Sequence, residues 1–231
     1  MIENVVIDRD LGELTLVYAQ VFAGPPWNEH TRCPIEDKFF GRDTLPGNKC
    51  PACQDAVLEE AYPQDTTSKK IMKEITRPKA VALVKRDAEG RIVAFSWGYS
   101  YQNPSEFAQD KYPASMHETI EVVLSANGID GELFYLSETG IVEEFRGNGL
   151  TNEFYLMRLH LAQSLGLPVV VRTNCESPIV AVANRYGFKQ VMGPKSYVDK
   201  ERKKIVVSDE LAGCKDAHNP ERVLFVLANR N

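Results

Sequence analysis

Leu11, Leu14, Tyr18, Val21 and Phe22 recur at spacings of three and four through "LGELTLVYAQVF". That period predicts an amphipathic helix as the first element, stopped at Gly24 and the two prolines after it. The pattern then breaks. From residue 25 to about 65 the chain carries six prolines, two glycines and three of its five cysteines, with no apolar period. So long an irregular stretch is usually functional or tied down by something, and it reads as an insertion. "SKKIMKEI" resumes with a short helix. "AVALVKRDAEGRIVAFSWGY" then gives two apolar, β-branched runs around Asp87-Ala88-Glu89-Gly90, a hairpin signal. Between 103 and 125 the one helical pattern is "ASMHETIEVVLSA", behind Pro104 and Pro113.

The second half alternates more regularly. "GELFYLSETGIV" predicts a strand. Leu150, Phe154, Met157, Leu161 and Leu165 mark a helix in "LTNEFYLMRLHLAQSLG" whose other faces are also apolar, so it should be well buried. "LPVVVRTN" is the near-continuous run of a strand covered on both faces. "SPIVAVANRYGF" opens with Ser177 as N-cap and Pro178 at the first helical position, and closes at Gly187. "KQVMGPKSYV" and "RVLFVLA" supply two more strands around a polar, weakly patterned stretch from 199 to 221. The predicted order is helix, helix, hairpin, strand, helix, strand, helix, strand, strand.

At 231 residues, 43% hydrophobic and 26% charged, the chain can bury the core of one domain, 1–231, with the insertion at about 25–65. A formal charge of -5, with Lys and Arg scattered, argues against a nucleic-acid partner. No run approaches the roughly 18 apolar residues of a membrane helix. The N-terminus mixes acids into its apolar positions, unlike a secretion signal. A cytoplasmic protein without a membrane partner is expected. Five cysteines, an odd number, do not make a secreted disulfide framework; reduced thiols or a metal fit better.

Two stretches carry candidate chemistry. In "GIVEEFRGNGLTNEF" a strand feeds a helix through Arg146-Gly147-Asn148-Gly149. Such a turn presents unpaired N–H groups at the positive end of a helix, with no Cβ at two positions, and Arg146 can add a charged donor. A phosphate or pyrophosphate fits; the plain alternative is a tight connection and nothing more. Neither G-x-x-x-x-G-K-[ST] nor G-x-G-x-x-G is present, since Asn152 stands where the second would need glycine. In the insertion, His30-x2-Cys33 and Cys50-x2-Cys53 are sixteen residues apart. Two close pairs suit a closed tetrahedral Zn2+ site, which would give a proline-rich segment one shape. Fortuitous thiols or a Cys50–Cys53 redox pair are the alternatives. Cys175, Cys214, His117, His160 and His218 carry no ligand spacing.

"YLSETGIVEEFRGNGLTNEFYLMRLHLAQSLG", followed by "VVVRTN" and "VANRYGF", resembles the core of the GNAT family of acyl-coenzyme A-dependent N-acyltransferases. The signature Q/R-x-x-G-x-G/A falls on residues 144 to 149, with Glu144 in place of Gln or Arg. "PPWNE" resembles the family's entrance loop. The resemblance covers about 11–27 and 80–191. It implies an α+β fold in α/β/α layers: a mixed, mostly antiparallel sheet with a splayed central strand pair and helices on both faces, here with an inserted Cys-rich loop.

The resemblance further implies acetyl-CoA as co-substrate and a primary amine, small or on a protein, as acceptor attacking directly. Amides from Phe145 through Arg146, Gly147, Asn148, Gly149 and Leu150 to Thr151 would hold the pyrophosphate. The strand end, about Ser137 to Val142 and so including Ile141, would pair its backbone with the pantetheine, and Asn174 is a further cofactor-binding candidate. Glu138 would be the base. The tyrosine usually serving as acid is replaced by Ala183, leaving Tyr186 or water. Trp27, Phe39, Phe40, Trp97, Tyr99 and Tyr101 would wall the acceptor pocket or pack in the core. Proteins of this kind are commonly homodimers. A non-catalytic acyl-CoA sensor and a zinc-loop interaction module are the other readings.

Overall fold

A computed structural model describes residues 1–199, 204–216 and 219–228; His218 lies outside them. In chain order the elements are β1 (Ile2–Asn4), α1 (Ile7–Ala23), β2 (Thr31–Cys33), β3 (Lys38–Phe40), β4 (Glu59–Glu60), α2 (Gln64–Ile75), β5 (Val81–Arg86) and β6 (Ile92–Tyr101). There follow α3 (Pro104–Lys111), α4 (His117–Ser125), β7 (Leu133–Ile141), α5 (Leu150–Ser164), β8 (Val169–Asn174) and α6 (Pro178–Arg185). Four strands end the order: β9 (Lys189–Met192), β10 (Pro194–Asp199), β11 (Lys204–Leu211) and β12 (Arg222–Leu227). Single 3-10 turns cover Ala114–Met116 and Glu143–Phe145. No described helix is long and apolar enough to cross a membrane.

The principal sheet has the strand order β1-β5-β6-β7-β8-β12-β9. β7 and β8 are parallel and paired only at Phe134 with Val169 and Tyr135 with Val170, although the strands run nine and six residues. β12 pairs antiparallel with both β8 and β9.

The chain divides into two units, and β6 and β7 contribute to each. The first comprises Met1–Thr76, Ala82–Ser96 and Glu138–Leu150. Leu14, Val17, Tyr18, Val21 and Phe22, the buried stripe of α1, pack in a core with Ile71, Val84 and Phe95. Arg86 on β5 bonds Glu3, Asp10 and Glu13, tying β5 to β1 and α1. Gly140 has no alternative here: a Cβ would lie 2.2 Å from the Phe95 ring. The insertion has its own three-stranded sheet, β3-β2-β4. Its small core is Cys33, Cys50, Ala56 and Leu58 with Phe40 and Cys53 against it.

The second unit comprises Arg77–Val81, Trp97–Ser137 and Thr151–Asn231. Phe134, Leu136, Tyr155, Leu159, Val169, Val171, Val180, Phe188, Val223 and Phe225 form much of its core. Arg77 lies over the rings of Tyr99 and Tyr101 and bonds Glu106 and Asp110 on α3.

Four expectations need correction. The first element is β1, not a helix; it pairs antiparallel with β5 but is three residues long, too short to show a period. α1 starts four residues earlier than its apolar stripe, because the Val6 N–H donates to Asp10 Oδ2 at 2.8 Å and closes the first turn. α3 fills part of 103–125: Asn103 caps it by accepting from the Glu106 N–H, with Pro104 at the first position. The run "KQVMGPKSYV" is two strands broken at Gly193, φ 87°, and the weak stretch after it contains β11, which pairs with β10 in a separate sheet.

Candidate active site and thiol cluster

Sequence places two positive-φ residues where β7 turns toward α5, and both are glycine. Gly147 has φ 81° and Gly149 φ 80°, and an added Cβ at either would meet nothing within 4 Å. Conformation, not crowding, excludes side chains there, and the space over the turn is open. The Phe145 and Arg146 N–H groups are already committed, to Val142 O and Glu143 O. The amides a ligand can use therefore begin at Gly147 and run through Asn148 and Gly149 to Leu150 and Thr151, which open the helix. Arg146 turns back: its Nε donates to Ile141 O at 3.0 Å and Nη1 to Pro25 O at 2.6 Å. It braces the turn rather than projecting from its rim, against the sequence expectation. Arg42, from the insertion, lines a cavity of about 90 Å³ with Arg146, Glu143 and Glu144 beside the turn. Glu144 itself is exposed.

Glu138 stands on β7 in the first unit, its side chain 22% exposed. The Ser96 hydroxyl fixes its backbone by donating to Glu138 O at 3.0 Å. Oε1 accepts from the Tyr18 hydroxyl at 3.2 Å and from Lys70 Nζ at 3.3 Å, and Lys70 also donates to the Tyr18 oxygen at 2.6 Å. Burial, helped by the Glu138 charge, raises the Tyr18 phenol well above its usual range. Tyr18 is thus a neutral donor aimed at a carboxylate. Neither partner was legible in sequence: Tyr18 reads as one more core position of α1, and Lys70 as an exposed helix cation.

In the second unit the Tyr186 hydroxyl donates to Asn152 Oδ1 at 2.7 Å, and its ring stacks on Tyr155 at 5.6 Å. The Asn174 side chain accepts from the Glu176 N–H at 2.9 Å, so it shapes the turn after β8. Val142 donates its N–H to Val93 O and accepts from Phe145, leaving no N–H for a ligand; Ile141 O already accepts from Arg146. Trp97, Tyr99 and Tyr101 are buried, whereas Trp27 and Phe40 are half-buried and Phe39 is exposed.

The thiols of Cys33, Cys50 and Cys53 converge, with all three sulfurs within 4.8 Å of one another. All are free cysteines, and Cys33 Sγ lies 3.7 Å from Cys53 Sγ. Burial raises the Cys50 thiol, but N–H groups of Cys53 and Ala52 and the neighbouring thiols outweigh it and bring its pKa below the ordinary value. His30 is not in this group. Its N–H donates to Phe40 O, and it lines a different cavity of about 380 Å³ with Glu29, Glu60 and Tyr62. Spacing alone paired it with Cys33, but β2 starts at Thr31 and carries the two residues apart along a strand.

Three solved structures show what this architecture is similar to. A mosquito arylalkylamine N-acetyltransferase-like protein matches over 98% of this chain and 98% of its own, TM-score 0.52, at 12% identity. The Drosophila melanogaster polyamine N-acetyltransferase, which forms N-acetylagmatine, matches over 99% of both chains, TM-score 0.51, at 16% identity. A GNAT-superfamily phosphinothricin acetyltransferase from Sinorhizobium meliloti, solved with acetyl-CoA, matches over 99% of this chain and 88% of its own, TM-score 0.51, at 11% identity. The fold is the GNAT fold. It has the mixed, mostly antiparallel sheet with helices on both faces that the element order implied. No family model matches the chain, and no curated protein matches its sequence.

The chain has its glycine turn between β7 and α5 and a carboxylate, Glu138, on β7; Ala183, where the resemblance implied a tyrosine, is fully buried. His117 Nε2 donates to Tyr112 O, 2.9 Å away, and His160 is exposed, so neither joins a site.

Proposed function

We propose that this protein is an acetyl-CoA-dependent N-acetyltransferase acting on a primary amine. The observation that carries the reading is the turn at Gly147 and Gly149: two positive-φ glycines under open space, at the N-terminus of α5, on a GNAT fold. Amides from Gly147 to Thr151 hold the pyrophosphate, with the helix dipole adding its positive end. Arg42, beside the turn, supplies the cation that Arg146 withholds. The solved relative bound to acetyl-CoA supports this choice of donor. When bound, that donor supplies an acetyl group activated as a thioester.

Glu138 accepts the proton that the amine loses as its nitrogen bonds the acetyl carbon and the C–S bond breaks. Lys70 and Tyr18, both donating to Oε1, hold the carboxylate in place until then. Tyr186 bonds Asn152, and Ala183 offers no hydroxyl, so water protonates the departing thiolate. The named acceptors of the relatives, arylalkylamines and polyamines, make an amine panel the natural first assay.

A second reading, acyl-CoA binding without transfer, draws on Ala183 and on the pairing of Glu138 with Lys70. Thiol release on mixing protein, acetyl-CoA and the amine panel decides between them. Amine-dependent release, lost in Glu138→Gln, is expected. Tight acetyl-CoA binding with no release for any arylalkylamine, polyamine, amino sugar or N-terminal peptide would favour the second.

A further inference from the structure

We propose that the insertion holds one zinc ion through Cys33, Cys50, Cys53 and Glu36, with Glu36 rather than His30 as the fourth ligand. The ion takes no part in the chemistry of acetyl transfer. The inference rests on a repeat within the insertion. Cys33-Pro34-Ile35-Glu36-Asp37 and Cys50-Pro51-Ala52-Cys53-Gln54 are two copies of one turn. In the first, the N–H groups of the third and fourth residues, Ile35 and Glu36, are directed at Cys33 Sγ, Glu36 at 3.4 Å; in the second, those of Ala52 and Cys53 are directed at Cys50 Sγ, Ala52 at 3.4 Å. The fifth residue of each is a non-glycine in the left-handed region, Asp37 at φ 49° and Gln54 at φ 62°. Each turn caps an antiparallel connection, Cys33 pairing with Lys38 and the Cys50 N–H donating to Ala56 O.

Two like turns facing one point deliver ligands from their first and fourth positions. The second turn does so with Cys50 and Cys53, and the first brings Cys33 to the same cluster. Its fourth position is Glu36. A carboxylate is a zinc ligand in its own right, bonding at about 2.0–2.2 Å where thiolate bonds at about 2.3 Å. The Glu36 carboxylate lies outside the thiol cluster, but the residue is exposed and its oxygens are two bonds further from the backbone than a cysteine sulfur, so on zinc binding its side chain turns in from the fourth position of the turn.

A disulfide would use two sulfurs and strand the third; three convergent thiols with a carboxylate suit a closed, four-coordinate zinc. Closure leaves no position for substrate, so the ion is structural. It supplements a core of only Cys33, Cys50, Ala56 and Leu58, too small to hold three strands of three, three and two residues.

The test is metal content and chelator competition on the full chain, purified reduced from zinc-supplemented culture. One zinc per chain is expected, with the three thiols of the site shielded from a thiol reagent until chelator is added. Loss of even an outer-shell partner costs a zinc site roughly tenfold to a hundredfold, so Glu36→Ala should weaken zinc by at least about tenfold. Glu36→Cys should restore or exceed wild-type affinity, and His30→Ala should leave it unchanged. Absence of stoichiometric zinc from chain with reduced thiols would overturn the site. Wild-type affinity in Glu36→Ala, or loss in His30→Ala instead, would overturn the ligand assignment.

Discussion

At Glu138 three side chains from α1, α2 and β7 meet. An ion pair as exposed as Lys70–Glu138 contributes little stability. Its effect is on position: Lys70 Nζ and the Tyr18 hydroxyl both donate to Glu138 Oε1. Lys70→Met takes away one of these donors, so kcat should fall while acetyl-CoA affinity is unchanged. An unchanged kcat would remove Lys70 from the account. Glu138→Gln should lower kcat by roughly a hundredfold or more while acetyl-CoA still binds. Asp10 gives the chain a pH signature. The Arg9 guanidinium bonded to it, with Arg86 nearby, holds its carboxyl below the ordinary range. Because the folded pKa is depressed, its stabilisation is present at neutral pH and is lost as pH falls below about 4. The Tm difference between wild type and Asp10→Asn should therefore be widest near neutrality and narrow in acid. Among single residues, Gly147 and Gly149 were legible in sequence because a positive φ has few residues that satisfy it. Tyr18 and Lys70 were not, since a contact between residues 120 or 68 positions apart leaves no local trace.

At the scale of elements, long periodic segments declared themselves and short ones did not. α1, α5, α6 and the β5–β6 hairpin followed from apolar period, caps and turn residues. β1 and the strands of the insertion have two or three residues each and are fixed by their partners, not by their own pattern. α3 carried a readable start, Asn103-Pro104 with Glu106 behind it, that its weak apolar stripe concealed. Gly140 is an element-scale constraint: it lets β7 lie against the Phe95 ring of β6. Gly140→Ala should cost about 1–3 kcal/mol in denaturant unfolding, as overpacking does. A cost near zero would mean the strands shift freely there.

For the whole molecule, the order of elements and one turn were enough to indicate the GNAT fold, although relatives that share it are only 11–16% identical. Fold survives such divergence because buried period and turn conformation persist while surface chemistry changes. In the proposed function, turn, carboxylate and fold serve one ligand, acetyl-CoA, gripped by backbone amides from Gly147 onward. Calorimetric titration of acetyl-CoA into wild type and Gly147→Val measures that directly. The account predicts one site per chain in the wild type and an affinity at least about tenfold weaker in the variant, whose β-branched side chain cannot hold the positive φ without strain. No heat of binding in the wild type, or equal affinity in a folded Gly147→Val, would contradict it.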